Sequence, residues 1–240
     1  MKIFNKKNKR IIQGLSFLAL NPYFFNFFTG RLYTGNLKYF PFPVLNCWSC
    51  PASTFACPIG ALANIFSLKK FPFYTLGILA LASYKKNIFC GYLCPFGAFQ
   101  ELIYKIPFYK LSKHKNSKAF RIYLKLDKPL KNLRYLVLIF LVVLIPFFFH
   151  KNLFCIICPP AFLEASLPFI VIFSYLRDYI SFYFYLKIFI FFLFTFLSLI
   201  MIRPFCRYFC PLIAIFDIFA KMQNFSSKEN KISKSKQMEK

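Results

Sequence analysis

The chain has 240 residues, of which 58% are hydrophobic and 22% aromatic, and its formal net charge is +25. Soluble domains average about 45–50% apolar residues, so this composition and the mean hydropathy of +0.53 argue against a single water-soluble core. The aromatic residues lie within apolar stretches rather than among the lysines, which argues against nucleic-acid binding. The composition therefore predicts an integral membrane protein.

Positive charge is concentrated in three segments. Of the 32 Lys and Arg residues, five lie in residues 2–10, ten in residues 105–134 and six in residues 221–240. Basic segments that flank membrane spans stay predominantly on the cytoplasmic side. We therefore expect a multi-pass protein of the cytoplasmic (inner) membrane, embedded in the lipid bilayer, with its N- and C-termini in the cytoplasm.

The apolar stretches predict an all-α protein, since no segment has the alternation typical of a strand. In chain order, the candidates for full spans are residues 11–29, 71–84, 133–149 and 182–202, and the candidates for short re-entrant or interfacial helices after Cys–Pro motifs are residues 51–68 and 160–176. Four transmembrane helices keep all the basic segments inside, whereas six would place the middle one outside. We therefore expect four transmembrane helices, with six as the alternative.

The cysteines divide the chain into two pseudo-repeat halves. Each half carries a C-x-x-C-P motif, at Cys47 or Cys155, followed by a C-x-x-x-C-P motif, at Cys90 or Cys206. The predicted organisation is a basic N-terminal tail over 1–10, a membrane domain over 11–222 and a disordered polar tail over 223–240, the domain consisting of halves 11–106 and 134–222 around a basic linker 107–133.

Five of the nine cysteines stand directly before a proline: Cys50, Cys57, Cys94, Cys158 and Cys210. Proline suits the first turn of a helix, so each of these thiolates is expected at the positive end of a helix. An iron–sulfur cluster held by four thiolates is an anion, and converging helix ends would stabilise it. Zinc bound by four thiolates is the inorganic alternative. Disulfides within such short motifs would close small loops and stabilise little.

Eight paired cysteines fit two [4Fe–4S] clusters. The candidate ligands are Cys47, Cys50, Cys90, Cys94, Cys155, Cys158, Cys206 and Cys210. Under four spans, one cluster is held by Cys90, Cys94, Cys206 and Cys210 on the inner side, and the other by Cys47, Cys50, Cys155 and Cys158 towards the outer side. Under six spans, each half holds its own cluster. The ninth cysteine, Cys57, is either a small buried residue or an alternative ligand.

Three segments carry a resemblance to a known family: residues 89–107 (FCGYLCPFGAFQELIYKIP), 154–168 (FCIICPPAFLEASLP) and 203–221 (RPFCRYFCPLIAIFDIFAK). They resemble the membrane 4Fe-4S binding family of polyferredoxin type, which includes NapH, NosR and CcoG-like proteins. The resemblance covers about residues 46–221. It implies a membrane protein that passes electrons between a quinol or ferredoxin-like donor and a partner redox protein.

The chain departs from many members of that family, which add a soluble ferredoxin domain, because it ends in a cysteine-free tail. We therefore expect electrons to enter or leave through a separate ferredoxin-like or reductase subunit. The protein would then be an electron-transfer component of an oxidoreductase system rather than a stand-alone enzyme, with no catalytic residue of its own.

Two other functions stay open from the sequence. The clusters could reduce a metal or thiol during the assembly or regulation of a metalloenzyme, or the chain could be a zinc-binding membrane scaffold. Three acids follow six or seven residues after a motif's last cysteine: Glu101, Glu164 and Asp217. They either carry protons for quinol or quinone chemistry or pair with neighbouring Lys and Arg residues.

Overall fold

The structure, a computed structural model, describes residues 6–107, 118–173 and 181–223. The regular structure of these residues is helical, and their one β-type pairing is an isolated bridge between Pro41 and Ala56. The all-helical prediction is therefore confirmed for this part of the chain. The predicted disorder of the polar tail concerns residues that, apart from residue 223, lie outside the described ranges.

The first half contains α1 Lys6–Leu20, α2 Asn26–Thr29, a 3-10 turn Asn36–Tyr39, α3 Pro58–Ser67, α4 Phe73–Ser83, α5 Lys86–Ile88, a π-helical turn Phe89–Leu93 and α6 Pro95–Ile103. The second contains α7 Lys118–Leu136, a π-helical segment Val137–Leu144, α8 Ile145–Phe149, α9 Leu153–Ile157, α10 Pro159–Ala161, a π-helical segment Phe162–Ser166, α11 Leu167–Ile172, α12 Phe182–Ile200, α13 Pro204–Tyr208 and α14 over residues 211–223. The segments from α7 to α8 are continuous, as are those from α10 to α11.

Cys–Pro steps set the starts of four helices. The helices α3, α6 and α10 each begin at a proline that follows an extended N-cap cysteine, and α14 begins directly after Cys210. Proline fits there because the first N–H of a helix has no intrahelical partner. The fifth step, Cys50–Pro51, starts no helix, since the backbone after it bonds to other segments: the N–H of Thr54 donates to the carbonyl of Leu20 at 3.0 Å. The short helix predicted over 51–68 therefore begins later, at Pro58.

Two helices of the described chain are long and apolar enough to cross a membrane: Lys125–Phe149 and α12, with mean hydropathies of 2.3 and 2.1. Only 22% and 17% of these stretches are buried inside the protein, whereas the core helix of a soluble protein is mostly buried. The helices α1 and α4 have 15 and 11 residues, fewer than the roughly 20 that a span needs. The count of four or six spans therefore stays a prediction from the sequence.

Much of the predicted basic linker is helical rather than irregular. From residue 118 onward it forms α7, which continues into the first apolar span. Asp127 on this helix is 7% exposed and accepts hydrogen bonds from Nε and Nη2 of Arg207, each 2.7 Å long, and from the hydroxyl of Tyr208 at 2.8 Å. This one acid ties the linker helix α7 to α13, because charge-assisted bidentate bonds are strong. Residues 108–117 of the linker lie outside the described chain.

Phenylalanine rings join the two halves at the core. The ring of Phe205 is fully buried and meets Phe96 of the first half edge-on, with a centroid distance of 5.2 Å. It meets Phe194 of α12 in the same way and at the same distance. Edge-to-face pairs of this kind add to the apolar area that the rings bury. They hold α6 and α13, and with them the two C-x-x-x-C-P motifs, against each other.

Candidate metal centres

The two C-x-x-x-C-P motifs share one backbone conformation. The N–H of Cys94 donates to the carbonyl of Phe89, and the N–H of Cys210 donates to the carbonyl of Phe205, both at 2.9 Å. Each bond spans five residues and closes a wide turn, which ends where the next helix begins. At these two motifs the sequence repeat is therefore also a structural repeat.

The four cysteines of these motifs lie together, and we call Cys90, Cys94, Cys206 and Cys210 the first site. Burial raises the pKa of Cys210, and the charges of Cys206, Cys90 and Cys94 raise it further. Burial and the charge of Cys94 raise the pKa of Cys206 to about 12, and burial with the charges of Cys94 and Cys206 raises that of Cys90. The structure therefore brings together one pair of thiols from each half.

Cations and amides surround the first site. Arg203, directly before α13, donates from Nη2 to the carbonyl of Gly91 at 3.0 Å, and also from Nη1 to the carbonyl of Cys90. Its charge, and that of Lys86, lower the pKa of Cys90 against the effect of burial. The side chain of Gln100 donates from Nε2 to Sγ of Cys206 at 3.7 Å. These donors would stabilise an anionic group between the four sulfurs.

The shorter C-x-x-C-P motifs meet at a second place. A cavity of about 850 Å³ is lined by Cys47, Cys155 and Cys158 together with Cys57, the ninth cysteine. We call this cavity the second site. A Cβ added at Gly60, in the first turn of α3, would lie 3.5 Å from Sγ of Cys155 and 3.9 Å from Cβ of Cys57. The sulfur of Cys155 therefore lies against the start of the helix that Cys57 caps.

Two lysines also line the second site. Lys187 of α12 donates from Nζ to the hydroxyl of Ser166 at 3.0 Å, and its charge lowers the pKa of Cys155, which burial raises. Lys38 is 3% exposed and donates from Nζ to the carbonyl of Ser53 at 2.7 Å. An ammonium group shielded from water costs free energy unless it meets a negative charge, so the buried Lys38 and the half-buried Lys187 would both complement an anion in this cavity.

Cys50 lies elsewhere. Its side chain, 2% exposed, stands 4.0 Å from Oδ1 of Asn21 and lines a different cavity of about 690 Å³, which we call the apolar cavity. Phe96 and Phe99 of α6 line it as well, along with Glu164. The sequence named Cys50 as a ligand with Cys47, Cys155 and Cys158, whereas the second site is lined by those three and Cys57.

The three candidate acids have different surroundings. Glu101 accepts hydrogen bonds from Lys9 and Gln13 and pairs with Arg203 at 2.9 Å; burial favours its neutral form, but these partners together lower its pKa. Asp217 pairs with two basic side chains, at 2.8 and 2.6 Å. Both acids therefore form ion pairs, one of the two predicted roles.

Glu164 has no such ion pair among the described residues. Its Oε2 accepts a hydrogen bond from the backbone N–H of Cys47 at 2.5 Å, and its side chain is 8% exposed. Burial raises its pKa to about 8, while the N–H of Cys47 lowers it. This acid lies beside the second site and also lines the apolar cavity.

The donor sets at both sites suit an iron–sulfur cluster. All nine cysteines are free thiols, and each site gathers four of them, two at helix starts. Within the described residues, the buried Nε of Arg203 beside the first site has no hydrogen-bond partner, although Nη2 pairs with Glu101, and an anionic cluster would offer an acceptor for it. No three Cys, His, Asp or Glu side chains in that part of the chain converge closely enough to hold a single metal ion.

Comparisons with known proteins point to the same chemistry. The sequence model of a family described as "4Fe-4S binding domain" matches residues 72–117 and again residues 183–232, so each match includes one C-x-x-x-C-P motif. The chain is also 33% identical over 153 residues to an uncharacterized protein of Methanocaldococcus jannaschii. That alignment covers 64% of this chain and 56% of the relative, so the chain spans little more than half of the relative's length. No solved structure matches the chain.

The paired match supports an iron–sulfur protein family and, with it, a role in electron transfer. The sequence pointed to the cysteines of the first site, to three of those at the second and, as an alternative ligand, to Cys57. It did not identify Lys38 and Lys187 as neighbours of the second site. Lys187 could have been noticed as a cation inside an apolar run, which is costly unless it has a partner, but Lys38 lies in a loop that no local pattern links to the cysteines.

Proposed function

We propose that this chain is a membrane-bound iron–sulfur electron-transfer protein with two [4Fe–4S] clusters, which passes electrons between a quinol or ferredoxin-like donor and a partner redox protein. The observation that supports this proposal most strongly is the first site, where two segments that each match a 4Fe-4S binding domain contribute two thiols each. A cluster bound there would supply one-electron redox chemistry. The chain's own part is to hold it, exclude water and set its electrostatic surroundings.

The second site supports a second cluster. It has four thiols, a cavity between them and two lysines on its walls, so the same donor chemistry occurs twice. Both sites lie in the same helical assembly. Within it, α6, which begins at the first site, contacts α12, which carries Lys187 of the second site, through Phe99 and Phe191. Two clusters in one assembly suit electron movement from one face of a membrane towards the other.

The outer surface of the helices supports membrane insertion. The side chains of Phe182, Phe189 and Phe192 on α12 are 74%, 65% and 60% exposed. Such a continuous apolar surface is unfavourable in water and favourable against lipid, and both apolar helices have it. We therefore propose an inner-membrane location, with the basic segments on the cytoplasmic side.

The apolar cavity supports a quinol as the donor. Its volume of about 690 Å³ is within the range of small-molecule sites, which are mostly apolar with few polar groups. The polar groups here include the side chains of Gln13, Asn21 and Glu164. Pro95 and Phe96, which directly follow Cys94 of the first site, also line it, so a bound quinone ring would lie beside a cluster ligand. A separate ferredoxin-like or reductase subunit is the proposed partner.

Anaerobic purification of the full chain in detergent tests the proposal. We expect a broad visible absorbance that dithionite bleaches and that a water-soluble menaquinol analogue bleaches in part. A folded protein that stays colourless after anaerobic incubation with iron and sulfide would overturn the proposal. A coloured protein that dithionite bleaches but no quinol reduces would restrict the donor to a ferredoxin-like protein.

A further inference from the structure

Three of the four cysteines at the second site belong to the paired motifs, and the fourth does not. This inference rests on the proposed function, that the chain holds clusters, and concerns which cysteine is the fourth ligand. Cys47, Cys155 and Cys158 line the cavity, and the fourth cysteine on its wall is Cys57.

Cys57 occupies the same kind of position as other candidate ligands of both sites. It is the N-cap of α3, with φ −66° and ψ 125°, and Pro58 is the first helical residue. Cys94 caps α6 with φ −73° and ψ 116°, and Cys158 caps α10 with φ −66° and ψ 122°. A thiolate in this position faces the N–H groups of the first helical turn, which stabilise a negative charge.

The packing around α3 agrees with this position. A Cβ added at Gly60, in the first turn of α3, would lie 3.5 Å from Sγ of Cys155 and 3.9 Å from Cβ of Cys57. The helix start that Cys57 caps therefore faces a thiol of the second C-x-x-C-P motif.

Cys50 lies near Cys47 but does not line this cavity, because its own loop turns it aside. Nζ of Lys38 binds the carbonyls of Cys50 and Ser53, at 3.4 and 2.7 Å, and so fixes the turn that contains Pro51. The sulfur then lies near Asn21 and faces the apolar cavity instead. The backbone N–H groups of Ala52 and Ser53 that face the Cys50 sulfur belong to a turn, whereas those that face Cys57 belong to the start of a helix.

We propose that Cys57, rather than Cys50, completes the second cluster site with Cys47, Cys155 and Cys158. Each site would then take two of its ligands from Cys–Pro steps that open a helix: Cys94 and Cys210 at the first, Cys57 and Cys158 at the second. Cys50 remains a free thiol on the wall of the apolar cavity, where a quinone is proposed to bind.

Matched alanine variants of the full chain, purified anaerobically, test this assignment. Iron, acid-labile sulfide and the EPR spectrum of the reduced protein are measured for the unchanged protein and for Cys57→Ala, Cys50→Ala and Cys47→Ala. We expect about eight irons per chain in the unchanged protein, since each cubane holds four. Cys50→Ala should keep about eight, whereas Cys57→Ala and Cys47→Ala should each keep about four and lose the same EPR signal.

Loss of half the iron in Cys50→Ala, or full iron content in Cys57→Ala, would overturn the assignment. The retained signal of the first cluster shows that a variant has folded, and the Cys50→Ala result decides the question even if Cys57→Ala fails to fold. If the unchanged protein binds no iron, the proposed function itself is contradicted. The two failures are therefore distinguishable.

Discussion

Arg203 donates a hydrogen bond from Nη2 to the backbone carbonyl of Gly91, 3.0 Å away, and so connects the second C-x-x-x-C-P motif to the first. The guanidinium is largely buried, with 15% of the side chain exposed, and also pairs with Glu101 at 2.9 Å. One planar fork thus binds three groups of the first half, since Nη1 also donates to the carbonyl of Cys90. Its charge lies beside Cys90 and Cys206, where it lowers the pKa of both thiols against the effect of burial.

Replacing Arg203 should make the first cluster harder to reduce. Reduction adds a negative charge, which a nearby buried cation favours, so Arg203→Gln should lower the midpoint potential on the order of tens of millivolts. An EPR-monitored redox titration measures the shift. Lys187→Met is the matched control, because it removes a cation from the second site only and should lower the potential of the second cluster alone. Equal shifts of both signals in either variant would contradict the assignment of these cations to separate sites.

The pairing of cysteines across the two halves can be tested by a double substitution. If Cys90 and Cys206 hold the same cluster, Cys90→Ala and Cys206→Ala should each reduce the iron content to about four per chain. The double variant should lose no more than either single one, because residues that act as one unit are not additive. Iron analysis of the three variants measures this. A double variant without iron would show that each half holds its own cluster, as six spans would imply.

Filling the apolar cavity should block quinol oxidation and leave the clusters intact. Gly14 of α1 lines this cavity, and a Cβ added there meets no atom within 4 Å, so the first side-chain atom of Gly14→Phe has room at the cavity wall. We expect at least a tenfold loss in the rate of reduction by a menaquinol analogue, with an unchanged iron content and dithionite response. Gly77→Phe is the control, because Gly77 also has open space but lines neither cavity. An unimpaired rate of reduction in Gly14→Phe would show that the quinol binds elsewhere.

The buried acid of the linker helix should contribute to stability. Asp127→Asn keeps the shape of the side chain but leaves Arg207 and Tyr208 with a weaker acceptor, so we expect a loss of about 1–3 kcal/mol in the free energy of unfolding. Thermal unfolding in detergent measures it. Lys131 pairs with the same acid at 2.6 Å but is 40% exposed, so Lys131→Met should cost less than about 1 kcal/mol. The reverse order of the two effects would contradict this role of Asp127.

The local patterns of the sequence predicted much of this architecture. The repeat of the C-x-x-x-C-P motif predicted their shared turn, and proline after Cys57, Cys94, Cys158 and Cys210 predicted four helix starts, since both depend on neighbouring residues alone. The strongest apolar runs gave the two long helices. These features need no knowledge of tertiary contacts.

Other features depend on contacts between distant residues. The choice between Cys50 and Cys57 could not be predicted, because both precede a proline and only the bonds of the loop, through Lys38 and Thr54, decide which one caps a helix. The helical linker depends on Asp127 meeting Arg207, 80 residues away. Its lysine-rich composition indicated a loop. The helix is anchored by a single acid, Asp127, and one acid forms no sequence pattern that would predict such a contact.

Iron and acid-labile sulfide analysis of the anaerobically purified chain, combined with EPR of the reduced protein, tests the central claim most directly. The account predicts about eight irons and eight sulfides per chain, with two [4Fe–4S] signals after reduction. A folded protein that takes up zinc but no iron under reconstitution with both metals would contradict it.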